Sequence, residues 1–436
     1  MNLHQMAKAR ESAGKPVRAG LIGAGKFGSM FLNQVPTTLG LEVTAIADLN
    51  LDHAKAACQA VGWSNERIAS VDFMEDGGAL AASDDVDVVI EATGSPVAGV
   101  KHALAAIEYG KHIVMVNVEA DVLAGAALAI RAKQAGVVYS QAFGDQPALV
   151  AEMVDWARSC GFEVVAAGKG TKYLPFYHDV TPDNVWDHYG LTAIEAEAAG
   201  MNPQMFNSFL DGTKSAIEMC AIANACELSV PSDGLLFPPC GVDDLPQILR
   251  PTSVGGVLEK SGIAEVVSSL ERDGRPVFRD LRWGVYVVFE AANDYARACF
   301  KQYGVQTDDT GCYGALYRPY HLIGLELGVS VLNAALRGES TGSTKGFRGD
   351  AVAVAKRGLA LGEILDGEGG YTVWGKAISA KRSLDMGALP IGLAHNVRLK
   401  NEVQAGEILT FEDVELDENS KTLELRRKAE ALVHHS

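Results

Sequence analysis

Through the first 150 residues, short unbroken apolar runs alternate with segments whose apolar positions recur at helical spacing. The runs Val17 to Ile22, Val43 to Ala47, Val86 to Ile90, His112 to Val116 and Val137 to Ser140 predict buried strands. Val97 to Glu108 and Ala124 to Gln134 predict helices between them, and the segment after Ile22 shows an apolar helix face of Phe27, Met30, Phe31 and Val35. Strand and helix in alternation predict a doubly wound parallel α/β sheet of the Rossmann kind.

The first strand passes into its helix through Gly23-Ala24-Gly25-Lys26-Phe27-Gly28. A GxGxxG between a strand and a helix is a dinucleotide fingerprint. Gly23 allows the tight turn, Gly25 lets backbone amides approach a pyrophosphate, and Gly28 lets the helix lie close on the strand. Asp48 ends the next strand, where an acidic side chain contacts a ribose. Thr93 and Gly94 follow the strand ending at Ile90, and Asn117 and Glu119 follow the one ending at Val116, at the sheet edge where open α/β sheets bind ligands.

The nucleotide domain is expected to close at Asp145-Gln146-Pro147, before a helix (Ala148 to Ser159) and a new strand (Glu163 to Ala167). The expected division is residues 1–150 for the nucleotide, 151–385 for substrate and dimerisation, and 386–436 for a terminal module of short strands. Ser420 to Leu432 reads as a charged terminal helix. No internal repeat or low-complexity tract is present.

Length and composition limit the function classes. The 436 residues, 48% hydrophobic, are enough for two or three cores. The seven cysteines are scattered without a CxxC pair, which argues against a disulfide framework or a zinc knuckle and for a reducing cytoplasm. The first 20 residues lack a signal-peptide core, and no apolar run approaches the ~20 residues of a membrane span. A formal net charge of −17 disfavours nucleic acid and anionic membranes, so an anionic ligand needs a local cation cluster.

Several groups could supply such chemistry. Asp211, Lys214 and Glu218 are spaced i, i+3, i+7 on one helix face among apolar neighbours, a spacing that suits either a functional cluster or an intrahelical salt bridge. Lys169 and Lys172 bracket a Gly-Thr turn that suits a phosphate or polyol. Arg318 and His321 sit in an aromatic, proline-containing segment where a guanidinium could grip a phosphate. Both sets also suit ordinary surface or core roles. Asp145, past a strand end, is the first candidate ligand for Mg²⁺ or Mn²⁺, with Asp211 or Glu218 completing the set; a turn or cap role fits it equally. His178, Asp179 and Asp183 form another cluster.

The first 150 residues, including Gly110-Lys111-His112-Ile113-Val114, resemble the nucleotide domain of homoserine dehydrogenases. Those enzymes continue with an Asn-Lys pair. Here Asn117 is followed by Val118 and Glu119, which speaks against homoserine or aspartate semialdehyde. Leu389 to Leu399 and Ala405-Gly406-Glu407-Ile408-Leu409 resemble a SAF module, the β-clip shared with type III antifreeze proteins and sialic acid synthases. Together with Gly168 to Pro175, Met201 to Phe209, Asp211 to Ser215 and Tyr317 to Leu322, the whole resembles the 1-deoxy-D-xylulose 5-phosphate reductoisomerase-like enzymes.

That resemblance implies an NADPH-dependent homodimer converting a small phosphorylated sugar to 2-C-methyl-D-erythritol 4-phosphate, an isoprenoid precursor, with a divalent cation on the substrate oxygens. The likeness to homoserine dehydrogenases implies that Lys214 polarises a carbonyl or moves a proton and Asp211 orients it. Two alternatives stand beside this: a dehydrogenase of another polyol, sugar acid or sugar phosphate, and a dinucleotide-gated sensor without catalysis. On the cofactor the signals conflict, because Asp48 would repel a 2′-phosphate and favours NADH. NADPH is the expectation, with NADH possible.

Overall fold

The structure, a computed structural model, describes residues 2–435. The chain forms two units, each discontinuous in sequence: Met1–Glu152 with His321–Lys345 and Ser420–Ala429, and Met153–Tyr320 with Gly346–Asn419 and Glu430–Ser436.

Unit 1 holds six parallel strands: β1 (Val17–Ile22), β2 (Leu41–Ala47), β3 (Asp72–Met74), β4 (Val88–Glu91), β5 (His112–Met115) and β6 (Tyr139–Gln141). Their order is β3-β2-β1-β4-β5-β6, so the sheet reverses direction of winding between β1 and β4. That reversal opens a crevice at the strands' carboxyl ends. Leu21, Ile46, Val88, Ile90 and Val114 share one core, which also takes Leu327 and Val331 from the helix region around Gly328–Arg337.

Unit 2 is built on β7 (Glu163–Thr171), β8 (Ile263–Ser268), β9 (Val285–Glu290) and β10 (Tyr313–Arg318), in the order β10-β9-β7-β8. Only β7 and β8 run parallel. Four further strands follow: β11 (Gly349–Ala355), β12 (Ile364–Asp366), β13 (Val373–Ser379) and β14 (His395–Arg398), which pair antiparallel as β11 with β13 and β12 with β14. The helix Thr213–Cys226 lies against β7, β8, β11 and β13. All of its 14 residues but Lys214 are buried, as expected of a helix covered on every side.

Two expectations change here. The strand predicted to end at Ala167 continues to Thr171, so Lys169 is in the sheet and not in a turn. Its flanking glycines serve close packing: a Cβ on Gly168 would lie 1.9 Å from the Glu265 carbonyl oxygen, and one on Gly170 1.9 Å from that of Leu281. Residues 386–436 do not form a module of their own. Bridges Val354 to Ile408 and Val352 to Pro390 tie the short strands into unit 2, while the helix Lys421–Glu430, which buries Leu423, Leu425 and Arg426, lies mainly in unit 1. No helix among the described residues is long and apolar enough to cross a membrane.

A buried ion pair organises unit 2. Lys356, just past β11, donates to the Asp211 carboxylate (2.8 Å) and to the carbonyls of Val180 (2.8 Å) and Gly370 (2.9 Å). Lys356→Met should cost about 3–5 kcal/mol in denaturant unfolding, because it strands a fully buried carboxylate. Unchanged stability would show that the pair organises nothing.

Glu265 on β8 is also fully buried, accepting from the amides of Leu236, Phe237 and Val266. Burial pushes its carboxyl from the ordinary 4.5 up to about 7, against those hydrogen bonds. The folded protein therefore holds this proton more tightly than the unfolded chain. Its contribution to stability is full below about pH 4.5 and is lost as the pH rises to about 7. Unfolding across that window should show stability falling with pH relative to Glu265→Gln, and parallel curves for the two proteins would refute the assignment.

Candidate functional site

The fingerprint lies where β1 meets the helix Lys26–Gln34. Gly23 has a left-handed backbone (φ 93°), and a Cβ there would sit 2.7 Å from the Ala92 carbonyl oxygen. A Cβ on Gly28 would fall 2.4 Å from the Gly23 carbonyl oxygen, so the helix rests directly on the loop. A Cβ on Gly25 would meet nothing within 4 Å. Space therefore opens at the helix N-terminus, where a pyrophosphate binds. Lys26 is exposed and Phe27 half-buried beside it.

Asp48 follows β2. Its carboxylate accepts from the amides of Ala24 and Asn50, both at 2.9 Å, which fixes it against the glycine loop, with His53 Nδ1 3.9 Å away. The loop after β4 carries Thr93, whose hydroxyl donates to Glu91 (2.5 Å), and Gly94, left-handed with open space before it. Asn117 is a scaffold residue: its amide donates to the Ser95 carbonyl (2.9 Å) and its oxygen caps the helix Val118–Ala135 at Ala120 (3.0 Å), locking the two loops together. Glu119 is buried in the first turn of that helix. The residues present fit a dinucleotide: open amides, an anchored ribose acceptor and two glycine turns at one sheet edge.

Sequence reasoning missed Glu91. It is fully buried at the end of β4, takes Thr93 and His102 on one oxygen, and leaves Oε2 without a hydrogen-bond partner. An acidic residue closing an apolar run was its only signal.

In unit 2 the expected cluster is rearranged. Asp211 precedes the helix instead of lying on it, and its carboxylate is taken by Lys356 and the Thr213 amide (2.9 Å). Orienting Lys214 therefore gives way to a structural role. Lys214 is half-buried in the first turn. Glu218, one turn on, pairs with Lys169 of β7, both nearly fully buried. Lys172 donates to the His188 carbonyl and lies over the Tyr189 ring (6.0 Å), and burial holds its ammonium below the usual lysine range. The two lysines expected to grip a substrate thus have protein partners. Arg318 ends β10 with its guanidinium 5.5 Å from the Tyr320 ring centre, in unit 2. His321 belongs to unit 1, with Nε2 3.1 Å from Gln146 Nε2.

Asp145 with Asp211 or Glu218 is the expected set for Mg²⁺ or Mn²⁺. Among the described residues no group of three or more His, Cys, Asp or Glu side chains is placed to hold a metal ion. Asp145 is a buried turn residue of unit 1 that accepts from the Gln146 amide (2.8 Å), and Glu218 of unit 2 faces an ammonium, which serves it as counter-ion.

An aromatic cluster was not foreseen beyond His178. The His178 Nδ1–H donates to the Asp211 carbonyl (2.6 Å), leaving Nε2 to accept from the Tyr173 hydroxyl (3.0 Å). Burial holds the pKa of this ring below the usual histidine value.

Residues 17–139 match the oxidoreductase family with the NAD-binding Rossmann fold, GFO_IDH_MocA, and residues 144–327 match the catalytic domain of oxidoreductase DRL. A homoserine dehydrogenase of Neisseria gonorrhoeae (strain ATCC 700825 / FA 1090) is 34% identical over 112 residues, covering 24% of this chain and 23% of that protein. The match thus spans under a quarter of that relative's length. Among solved structures, a probable dehydrogenase from Thermotoga maritima aligns over 74% of this chain and 90% of its own (15% identity, TM-score 0.39). The myo-inositol dehydrogenase from Lactobacillus casei, in complex with NAD(H) and myo-inositol, aligns over 70% and 75% (14% identity, TM-score 0.36). With its nucleotide loop formed, the chain is similar to the NAD-binding Rossmann domain of GFO_IDH_MocA oxidoreductases over residues 17–139 and to the DRL oxidoreductase catalytic domain over residues 144–327.

Proposed function

We propose that the protein is an NAD(H)-preferring dehydrogenase of a small polyol, sugar acid or sugar phosphate, in which Lys214 handles the substrate oxygen. The observation that carries this reading is that Lys214 alone is only half-buried on a helix otherwise buried along its whole length. A bound nicotinamide supplies or accepts the hydride. In alcohol oxidation the hydroxyl proton passes to Lys214 Nζ as the carbonyl forms. In reduction the ammonium returns that proton to the carbonyl oxygen. The Lys169–Glu218 pair, one turn along the same face, holds a fixed, desolvated dipole beside Lys214.

The cofactor preference rests on Asp48. Both of its oxygens are held by backbone amides, so it cannot swing away from a 2′-phosphate. This favours NAD(H) over the NADPH that the family resemblance implies. A panel of polyols, sugar acids and sugar phosphates, followed by nicotinamide absorbance, tests the activity. Tight cofactor binding with no hydride transfer to any of them would favour the sensor reading.

Calorimetry should find NADH binding about tenfold or more tighter than NADPH, a difference of about 1.4 kcal/mol. Asp48→Ser, which keeps an oxygen for the Ala24 amide, should narrow that gap. Equal affinities in the parent protein would remove the argument from Asp48.

For the chemical step, Lys214→Met should lower kcat by about two orders of magnitude or more while leaving the Kd for NADH unchanged. Lys214→Arg keeps the charge but cannot give up its proton, so it should fall nearly as far. Parental kcat in Lys214→Met would assign this residue to structure.

A further inference from the structure

The helix Thr213–Cys226 presents two opposite faces. At 3.6 residues per turn, Lys214 and Glu218 lie on one side and Gly212 and Ala216 on the other. On the Gly212 and Ala216 side there is a cavity of about 270 Å³, bordered also by His178, Phe237, Trp374 and Lys376. A larger cleft of about 820 Å³ shares His178, Trp374 and Lys376 and adds Arg382.

The aromatic walls are held in place. Phe237 stacks on Tyr173 and His178 on Trp374, each with ring centres 3.9 Å apart. Both nitrogens of His178 are engaged, so it offers the cavity ring surface rather than a hydrogen-bonding edge. Phe237 has a left-handed backbone (φ 50°), a strained state for a bulky residue, and its amide and that of Leu236 are tied to the buried Glu265. Strain of this kind persists only where the surroundings enforce it.

The mouth carries charge. Lys376 Nζ and Arg382 reach the same carboxylate oxygen of Asp233, at 3.5 and 3.3 Å, and the Asp233 side chain is 87% exposed. Two cations share one solvent-facing carboxylate, leaving one positive charge over within this trio, while the larger cleft beyond it also carries Asp179, Glu402, Glu407 and Asp413. In a chain of net charge −17, that is a local anion-attracting point beside an aromatic slot.

We propose that this cavity binds a small organic anion, a carboxylate or phosphate monoester on a flat or ring-shaped body. The ring lies against Phe237 and Trp374, and the charge meets Lys376 and Arg382 in place of Asp233. Its volume falls just below the about 300–1,000 Å³ of pockets that take drug-sized ligands, so the ligand is smaller than a nucleotide. The site is independent of the dehydrogenase reading, because its residues lie on the side of the helix away from Lys214.

Calorimetry on the full chain, with benzoate and phenyl phosphate as probes and neutral benzamide as the shape-matched control, tests this. At least one anion should bind one site saturably and about tenfold or more tighter than benzamide. Lys376→Met should weaken that anion by about tenfold, and Lys376→Arg should restore most of the affinity. Asp233→Asn, at an exposed position that leaves the fold alone, should tighten it by removing the competing carboxylate. Absence of saturable anion binding, benzamide binding as tightly as the anions, unchanged affinity in Lys376→Met, or no tightening in Asp233→Asn would each overturn the proposal.

Discussion

The ion pair between Asp211 and Lys356 is the constraint on which unit 2 depends. It joins four separate stretches: the start of the central helix, the end of β11, the Val180 loop and the Gly370 turn. Burying two charges is unfavourable unless every polar atom finds a partner. Here the ammonium makes three hydrogen bonds, and the carboxylate takes the ammonium on one oxygen and a backbone amide on the other. Such an arrangement specifies a single register for the helix, and with it the positions of Lys214, Ala216 and Glu218.

A second constraint is the close approach of backbone to backbone at Gly168 and Gly170, which seats β7 tightly between β8 and β9. Lys169 lies between these glycines, where alternation turns its side chain to the face opposite its neighbours. It enters a buried environment that only a carboxylate can make tolerable, and Glu218 of the central helix supplies it. The same segment therefore sets both the sheet and the charge beside Lys214.

Local features were legible in the sequence and long-range ones were not. The glycine loop, Asp48 and the strands of unit 1 depend on neighbours close in the chain, and β1 begins and ends where its apolar run does. Lys356 lies 145 residues from its partner Asp211, and no periodicity connects them. Gly168-Lys169-Gly170-Thr171 reads as a turn because paired glycines usually mark one, yet here they answer steric contact inside a sheet. The spacing of Asp211, Lys214 and Glu218 suggested one cooperating face. That inference assumed the helix began before Asp211, whereas it begins at Thr213. The terminal strands looked separable because each is short, but their partners lie in β11 and β12.

The central helix then connects two kinds of chemistry that share no side chain. Lys214 and Glu218 belong to a face where charge is concentrated and desolvated, while Gly212 and Ala216 belong to one lined by aromatic rings. A helix buried by both sheets cannot tilt without breaking many contacts, so it transmits displacement as a body or not at all. Its first turn is held further, through Asp211 to Lys356 and through the Asp211 carbonyl to His178. An occupant of the aromatic cavity would touch His178 directly and so bear on the turn that carries Lys214. Any influence it had on turnover would require it to bind one arrangement of that turn better than another, and its affinity alone would produce none.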